Sequence, residues 1–338
     1  MSSNQKIDLL TVGRSSIDLY SANIGTPFEE IKSFDAFVGG SPLNIAVGAQ
    51  RLGLKTSLFT AIGNDKVGDF ILNFLKKEKV GIEYIPTLKG RRSSAVVLGI
   101  EPPDRYPLVY YRDNAADIGL EIEHAAQIDL ENVGMVQVSA TALSGEPSRS
   151  ATFYLAEQAK KNKIPILLDI DFRADQWHDI RAFGVNIRSF LQYCTIAIGT
   201  REEVLAAVLV SKDQLVIRDQ QISAPQITGD PLEAIRTILE SSIKYLIYKD
   251  GKEGCEIYES GKSSIKIPGF PVEVLNVLGA GDAFAAGFCF GYSKGWNLEK
   301  SCRLANACGA YLVTQPGCAN FSPSYGEINQ FIESKGGY

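Results

Sequence analysis

The sequence predicts an α/β fold in which helices cover both faces of a mostly parallel sheet. Short apolar runs alternate with helical patterns along most of the 338 residues, and several of these runs are apolar at nearly every position, as strands buried on both faces are. Hydrophobic residues make up 45% and charged residues 22% of the chain, which is enough for a sizeable core. No repeat, low-complexity tract or Pro/Ser-rich linker divides the chain, so one domain over residues 1–338 is expected.

Six segments are predicted to form the strands of the main sheet: KIDLLTVG, TSLFTAIG, VGMVQVSA, KIPILLDI, CTIAIG and KYLIYKDG. Helical patterns lie between them. In the clearest, from Lys66 to Val80, apolar residues recur at helical spacing and Gly81 ends the pattern. Strands that alternate with helices in this way form parallel sheets.

Two stretches break this alternation. Residues 14–38 and 90–113 contain extended segments with polar alternation and turns, among them SIDLYSANIG, SSAVVLGI and YPLVYYRDN. We expect them to form a small β-rich lid that stands off the main sheet. The exposed strands of this lid could pair with a second copy to give a homodimer.

Charge and composition exclude several classes of protein. The net charge of −5 gives no basic field for nucleic acid or an anionic membrane. The N-terminal MSSNQK lacks a signal-peptide layout, and no later run is long and apolar enough to cross a membrane. The six cysteines form no CxxC pair, so they are interpreted as reduced core residues of a cytoplasmic protein. With His124 and His178 the only histidines, neither a His-based metal site nor a Ser-His-Asp triad is expected.

Asp282 is the one charged residue of NVLGAGDAFAAGF, and the run Gly-Ala-Gly stands directly before it. The segment that follows, AFAAGFCFGY, is apolar all round and predicts a buried helix. Unpaired N–H groups and the dipole at the start of such a helix favour anions, and a carboxylate beside them can accept a proton from an attacking hydroxyl. The combination suits phosphoryl transfer. The alternative is that Asp282 only caps the helix.

Other nucleotide-binding patterns are missing from the sequence. Neither GxGxxG nor GxxxxGK[ST] occurs, which excludes a dinucleotide fingerprint and a Walker A loop. A dehydrogenase is disfavoured because TVGRSSID stands at the first strand, where a glycine-rich fingerprint would be needed.

Two motifs resemble the signatures of the PfkB/ribokinase family of carbohydrate kinases. VGGSPLNIAVGAQRLG, from Val38 to Gly53, resembles the first signature and GAGDAFAAGF the second, and the resemblance runs from Ile7 to about Ser322. It implies a ribokinase-like three-layer α/β/α fold with a mostly parallel central sheet and a small β-rich lid. It also implies phosphorylation of a sugar with ATP and Mg²⁺.

The resemblance assigns roles around the second motif. Asp282 would be the catalytic base, and the backbone of Gly279, Ala280 and Gly281 would form the anion hole. Some members of the family hold a monovalent cation near this loop. This chain has Asn-Val at 276–277 in place of the common Asp-Thr.

The first motif would contact the sugar. Gly39, Gly40 and Asn44 match its sugar-contacting part, and Asp18 in GRSSIDLY matches an aspartate that binds sugar hydroxyls from the lid. Paired glycines let backbone approach a ligand closely, and an asparagine amide can both donate to and accept from hydroxyls. The alternatives are a tight turn that caps the next helix, and a solvated position for Asp18.

On the nucleotide side, YKDGKEG resembles the family's glycine-turn hairpin, so Lys249, Gly251 and Gly254 would lie beside the phosphates or ribose. Any β-hairpin can carry Asp-Gly. Asn306 would line the adenine pocket, and facing solvent is equally plausible for it.

Glu203, in GTREE, resembles the glutamate of the family's Asn-x-x-Glu motif, which orders magnesium through water. Thr200 replaces the asparagine of that motif and is taken as a cofactor-binding position. Mg²⁺ is expected on general grounds too, because ATP phosphates carry it in kinase chemistry.

Two arginines point to an acidic sugar. YYRDNAAD places Tyr110 and Arg112 on one face if that segment is extended, and DIDFRADQW places Arg173 near a strand end. The guanidinium fork suits a carboxylate. The alternatives are an Arg173–Asp171 ion pair and an Arg112 that faces water.

Within the family, DFRADQW and LNVLGAGDAF resemble the 5-dehydro-2-deoxygluconokinases of myo-inositol breakdown. This resemblance implies transfer to the C6 hydroxyl of 5-dehydro-2-deoxygluconate. The alternatives are a 2-keto-3-deoxygluconokinase or a fructokinase and, from another class, a non-catalytic regulator that binds sugar or nucleotide. A regulator would have no use for a base at Asp282.

Overall fold

The computed structural model describes residues 6–101, 105–217 and 225–338. Its strands are β1 (Leu9–Val12), β2 (Ser16–Ser21), β3 (Phe34–Gly39), β4 (Thr56–Phe59), β5 (Ile62–Gly63), β6 (Thr87–Leu88), β7 (Ser94–Leu98), β8 (Leu108–Tyr111), β9 (Val136–Ser139), β10 (Ile166–Asp169), β11 (Ile196–Thr200), β12 (Leu215–Val216), β13 (Gln226–Ile227), β14 (Tyr245–Lys249), β15 (Gly254–Tyr258) and β16 (Ile265–Pro268). Its α-helices are α1 (Ser41–Leu52), α2 (Lys66–Lys77), α3 (Ile122–Ala126), α4 (Ser148–Lys161), α5 (Ile180–Leu191), α6 (Arg201–Ala207), α7 (Pro231–Leu239), α8 (Ala280–Ser293), α9 (Leu298–Leu312) and α10 (Tyr325–Ser334).

The main sheet has eight strands in the order β16-β15-β14-β11-β10-β9-β1-β4. From β14 to β4 every neighbouring pair is parallel, and β15 and β16 add an antiparallel edge. The six parallel strands are the six segments predicted from the sequence. The predicted mostly parallel α/β fold is confirmed.

Successive residues of a strand point to opposite faces of the sheet, and in β1 the residues on both faces are buried. Helices therefore cover both faces of this sheet. In β1, Leu10 belongs to a core shared with α4, α5, α6 and α7. Its neighbour Leu9 belongs to a second core shared with α1, α8, α9 and α10. The result is the expected three-layer arrangement.

Helix α2 shows how local chemistry sets an element's limits. The Asp65 side chain accepts a 2.8 Å hydrogen bond from the Gly68 N–H and caps the first turn. The helix ends at Lys77, earlier than the predicted Val80. Lys79 has a φ of 62°, which cannot continue a right-handed helix.

A second sheet of four strands, in the order β3-β2-β7-β8, is formed by the two stretches that break the α/β alternation, and β3 extends one residue past the first of them, to Gly39. We call it the small sheet. Its register pairs Asp18 with Val96, and Val96 with Tyr110. Residues paired in this way lie in one row on one face of a sheet, so Asp18 and Tyr110 share a face.

None of the helices within the described ranges has the length and apolar character needed to cross a membrane. All six cysteines are free thiols, and all are buried.

Candidate active site

Helix α8 begins with the Gly-Ala-Gly run, and its first turn carries Asp282. Gly279 precedes the helix with a φ of 76°, and a Cβ there would lie 2.7 Å from the Cys318 sulfur. Only glycine satisfies both conditions. Most of α8 is buried, as its sequence predicted. The positive end of its dipole therefore acts on the half-buried carboxylate of Asp282.

Asp282 is held by the first motif. The half-buried carboxylate accepts a 2.7 Å hydrogen bond at Oδ2 from Nδ2 of Asn44, 238 positions away in the chain. Burial raises the pKa of Asp282, and the charge of Asp171 raises it further, whereas hydrogen bonds from Asn44 and Ser41 and the charge of Arg173 oppose the rise. The remaining polar atom of the Asn44 amide, Oδ1, is buried and has no hydrogen-bond partner among the described residues.

The paired glycines before α1 leave room for the protein's own groups. A Cβ at Gly39 would overlap the Asp18 carboxylate, and one at Gly40 would overlap the Arg14 carbonyl oxygen. Gly40 also has a φ of 102° and stands at the N-cap of α1, so the turn that the sequence allowed as an alternative is present. The glycines thus bring Asp18 against the start of the helix that carries Asn44.

Asp18 is buried on the small sheet. Its Oδ1 accepts a 2.6 Å hydrogen bond from the Ser16 hydroxyl, and Ser16 Oγ accepts a 2.8 Å bond from Nη1 of Arg14. Burial raises the pKa of Asp18, against the opposing charge of Arg14. The solvated position considered for Asp18 is excluded. We refer to Asp282, Asn44, Asp18 and Arg14 as the Asp282 site.

Three ionisable groups meet near the start of α8. Nζ of Lys249, at the end of β14, lies 3.5 Å from Oδ1 of Asp169 and 3.3 Å from Oε2 of Glu203. A Cβ on Gly281 would lie 3.2 Å from the same Nζ, so the ammonium group borders the first turn of α8. A positive charge therefore lies beside the start of α8.

The two carboxylates respond differently to this setting. Burial raises the pKa of Asp169 to about 8, with Lys249 opposing the rise. Burial also acts to raise the pKa of Glu203, but Lys249 and the 2.6 Å hydrogen bond from the Thr200 N–H outweigh it, and this pKa falls. Thr200 in turn caps α6 by accepting from the Glu203 N–H, so the two residues form a capping box.

These groups fit an ion that arrives with its phosphates. Within the described ranges, no group of three or more His, Cys, Asp or Glu side chains is arranged to hold a metal. Mg²⁺ in kinases keeps several waters and takes one or two protein carboxylates in addition to substrate phosphates. Asp169 and Glu203 match that requirement, and among the described residues Asp169 Oδ1 has the 3.5 Å ion pair with Lys249 but no hydrogen bond.

Arg112 lies beyond the end of β8 and turns into the protein interior. All five of its N–H donors are used: two on Oδ2 of Asp117, at 2.9 and 2.5 Å, and the others on Ser144 Oγ, Gln176 Oε1 and the Thr141 carbonyl. We call these residues the Arg112 cluster. The expectation that Arg112 anchors a substrate carboxylate does not fit this arrangement, because no donor is left for one.

Arg173 forms the ion pair with Asp171 that the sequence offered as its alternative, at 3.1 Å from Nη2 to Oδ1. Its Nη1 also donates to the Phe172 carbonyl at 3.4 Å. The Arg173 side chain is 37% exposed, so part of the guanidinium remains accessible.

The remaining predicted nucleotide residues shape the backbone. Gly251 begins a short turn and Gly254 begins β15, with φ values of 55° and 103°, so the predicted hairpin is present. Asn306 is buried and donates from Nδ2 to the carbonyls of Ile267 and Pro268, at 3.0 and 3.1 Å. It therefore fixes β16 to α9 and does not face solvent.

Comparison with known proteins agrees with this geometry. The model of the pfkB family carbohydrate kinases matches residues 6–324. The chain belongs to this family.

Relatives in the family share a common name. A 5-dehydro-2-deoxygluconokinase from Clostridium tetani is 32% identical over 331 residues, covering 97% of this chain and 94% of the relative. One from Geobacillus thermodenitrificans is 30% identical over 328 residues, covering 97% and 93%.

Solved structures share the fold at lower identity. A protein provisionally named ribokinase II from E. coli, solved with ATP and Mg²⁺, has a TM-score of 0.83 at 23% identity and covers 98% of this chain and 99% of its own. A fructokinase with bound ATP from Xylella fastidiosa has a TM-score of 0.82 at 19% identity and covers 97% and 98%. These likenesses confirm the ribokinase-like fold expected from the two motifs.

One residue of the site escaped the sequence analysis of this pfkB-family chain. Arg14 follows β1 by two positions, in GRSSID, and is buried with 8% of its surface exposed. The available signal was its position between the first strand and Asp18. The side chains at carboxyl ends of parallel strands gather where α/β proteins bind ligands.

Proposed function

We propose that this chain transfers the γ-phosphoryl group of ATP to the C6 hydroxyl of 5-dehydro-2-deoxygluconate. The observation that carries the proposal is the hydrogen bond between Asn44 and Asp282. It joins the predicted sugar-binding motif to the predicted base at the start of a buried helix. A sugar hydroxyl bound by the first motif would therefore lie beside a carboxylate and beside the backbone N–H groups at the start of α8.

In the proposed reaction, the Asp282 carboxylate accepts the proton of the C6 hydroxyl. The hydroxyl oxygen forms a bond to the γ-phosphorus as the bond from that phosphorus to the β,γ-bridging oxygen breaks, and ADP leaves with the electron pair. The backbone N–H groups of residues 279–281 and the ammonium of Lys249 would stabilise the negative charge on the transferred group. Mg²⁺, when bound, supplies further neutralisation of the phosphates, and Asp169 and Glu203 would hold it, Glu203 through water.

The substrate assignment rests on the names of the relatives together with the arginines at the site. A carboxylate on the sugar would offer a partner to a guanidinium, which a neutral hexose lacks. The alternatives are 2-keto-3-deoxygluconate and fructose. A non-catalytic regulator remains the alternative of another class, and it would bind ligands without turnover.

We further propose that the small sheet is a lid and that two copies pair through it. The face opposite Asp18 carries a row of paired apolar residues, Leu19, Val97 and Val109, beside the pair Ala95 and Tyr111. Val109 is 44% and Tyr111 is 61% exposed, and exposed apolar surface of this kind favours association. Light scattering should give twice the chain mass, and Tyr111→Glu should lower it to one chain.

Two smaller assignments belong with this proposal. A monovalent cation near residues 276–277 would show as a dependence of turnover on K⁺. The six buried free thiols favour the reducing cytoplasm as the place of action.

A phosphorylation screen tests the proposed activity. The protein is incubated with ATP and Mg²⁺ and a panel containing 5-dehydro-2-deoxygluconate, 2-keto-3-deoxygluconate and fructose. We expect the highest kcat/KM for the first acid, with phosphorus coupled to the C6 protons in the NMR spectrum of the product. A higher kcat/KM for another compound of the panel would make that compound the assigned substrate. If the protein binds ATP and sugar but phosphorylates none of the panel, the non-catalytic regulator is favoured.

A further inference from the structure

The Asp282 site contains a buried cation without a carboxylate in direct contact. Arg14 donates from Nη1 to Ser16 Oγ, and its Nε is buried without a hydrogen-bond partner. Across the described ranges, its guanidinium forms no ion pair within 4.0 Å. Burying a charge without an opposite charge beside it costs free energy, and an anionic ligand would offset that cost.

Neighbouring groups aim Arg14 toward the sugar side. Its guanidinium carbon lies 5.1 Å from the centre of the Tyr110 ring, which holds the guanidinium against the small sheet. Ser16 links it to Asp18, and Tyr110 shares the sheet face of Asp18. The main chain of Arg14 lies against Gly40, at the turn that leads to Asn44.

A second guanidinium acts on the same tyrosine. Burial raises the pKa of Tyr110, and the charges of Arg173 and Arg14 oppose the rise. The two arginines differ in their remaining capacity. Arg173 is already paired with Asp171, whereas Arg14 has a buried donor unused.

We propose that Arg14 is the residue that recognises the carboxylate of the sugar-acid substrate, with Arg173 as its accessory. The inference rests on the proposed function, since only an acidic sugar gives the Nε–H of Arg14 a charged acceptor. It transfers to Arg14 the role that the sequence gave to Arg112. The competing explanation is that Arg14 only positions Asp18 through Ser16.

The test compares two substrates across four proteins. The substrates are the sugar acid and its neutral analogue, in which a hydroxymethyl group replaces the carboxylate. The proteins are the wild type, Arg14→Gln, Arg14→Lys and Ser16→Ala, each checked for folding by circular dichroism. The readout is the ratio of kcat/KM for the acid to kcat/KM for the analogue.

We expect Arg14→Gln to lower this ratio about 10- to 100-fold, as loss of a hydrogen bond to a charged group does. Arg14→Lys keeps the charge but loses the fork, so it should lower the ratio by a smaller factor, about three- to tenfold. Ser16→Ala breaks the link between Arg14 and Asp18. It should lower kcat/KM by the same factor for both substrates and leave the ratio unchanged. If Arg14→Gln does not fold, Arg14→Lys decides alone.

Equal losses for both substrates in the Arg14 variants would overturn the inference and support the positioning role. If the wild type still prefers the acid over the neutral analogue in that case, only the role of Arg14 is overturned and the proposed function is unaffected. A wild type that phosphorylates no sugar acid would overturn both.

Discussion

The Arg112 cluster and the Asp282 site are both polar, both mostly buried and both adjoin the small sheet, yet their arginines differ in hydrogen bonding. In the Arg112 cluster every donor of the guanidinium has an acceptor, and the Arg112 and Asp117 side chains are only 6% and 2% exposed. In the Asp282 site, Asn44 Oδ1 and Arg14 Nε have no partner among the described residues. Other atoms of the Arg112 cluster, Asp117 Oδ1, Thr141 Oγ1 and Gln176 Nε2, also lack partners among the described residues, so the difference lies in the guanidinium donors. An arginine whose donors are all paired holds its surroundings together, whereas an unpaired buried donor is unfavourable until a ligand satisfies it.

An arginine with an unused donor can still bind an anion, whereas one whose donors are all paired cannot, so an arginine near the small sheet is not by itself a sign of ligand binding. Tyr-x-Arg in an extended segment suggested that Arg112 faces a substrate. The strand ends at Tyr111 instead, and Arg112 turns toward Asp117. Variants that alter one region and leave the other unchanged test this difference.

The largest expected effect on stability lies in the Arg112 cluster. Arg112→Ala would leave Asp117 buried and uncompensated, so we expect the free energy of unfolding to fall by about 3–5 kcal/mol. Urea denaturation measures this loss. Arg105→Ala is the control, because Arg105 is 56% exposed in its pair with Glu101 and its loss should change stability by less than about 1 kcal/mol. If Arg112→Ala were as stable as the wild type and had lost only its activity on the acid substrate, Arg112 would be a binding residue and not a structural one.

A smaller effect is expected from crowding the Asp282 site. Gly39→Ala places a methyl group on the Asp18 carboxylate and displaces it. Loss of one charge-assisted hydrogen bond to the sugar, about 1.5–3 kcal/mol, should raise KM for the sugar roughly 10- to 100-fold, while KM for ATP stays within about twofold. Gly326→Ala, a glycine of α10 with open space around it, is the matched control. Equal changes in the two KM values would indicate a general distortion.

The smallest effect concerns pH. The Asn44 amide donates to Asp282 and so favours its ionised form, which lowers the pKa of that carboxylate. A base must be ionised, so kcat/KM should fall as the pH falls through this raised pKa. Removing the donor in Asn44→Ala should move the acid limb upward by about one pH unit. The measurement is the pH profile of kcat/KM. If the acid limb does not move in Asn44→Ala, Asp282 is not the group that titrates there.

Much of the fold was predictable, because it depends on patterns that repeat along the chain. The six apolar runs became the six parallel strands, and the apolar helix after Gly-Ala-Gly is buried. The positions that were not predictable depend on contacts between distant residues. Asn306 could be assigned to adenine or to solvent from its helix alone, and only the nearby carbonyls of β16 explain its burial.

The same reasoning applies within the candidate site. Asp282 stood out because its charge is isolated in an apolar segment. Arg14 did not, since arginine beside a strand is ordinary until burial and an unused donor are known. The hairpin motif predicted that Lys249 lies near the nucleotide. Its contacts with Asp169 and Glu203 were not predictable, because the three residues lie at the end of β14, the end of β10 and the start of α6.

The proton acceptor is the centre of this account, and Asp282→Asn tests it most directly. Burial makes ionised Asp282 unfavourable in the folded protein, so its contribution to stability falls as the pH rises through its raised pKa, and asparagine should leave the thermal midpoint at neutral pH unchanged or higher. Single-turnover kinetics with calorimetric binding of ATP and sugar acid should show the phosphoryl-transfer rate reduced about 10²- to 10⁴-fold, with both dissociation constants within about threefold of wild type. A transfer rate within tenfold of wild type, in a protein that binds both ligands, would contradict the account.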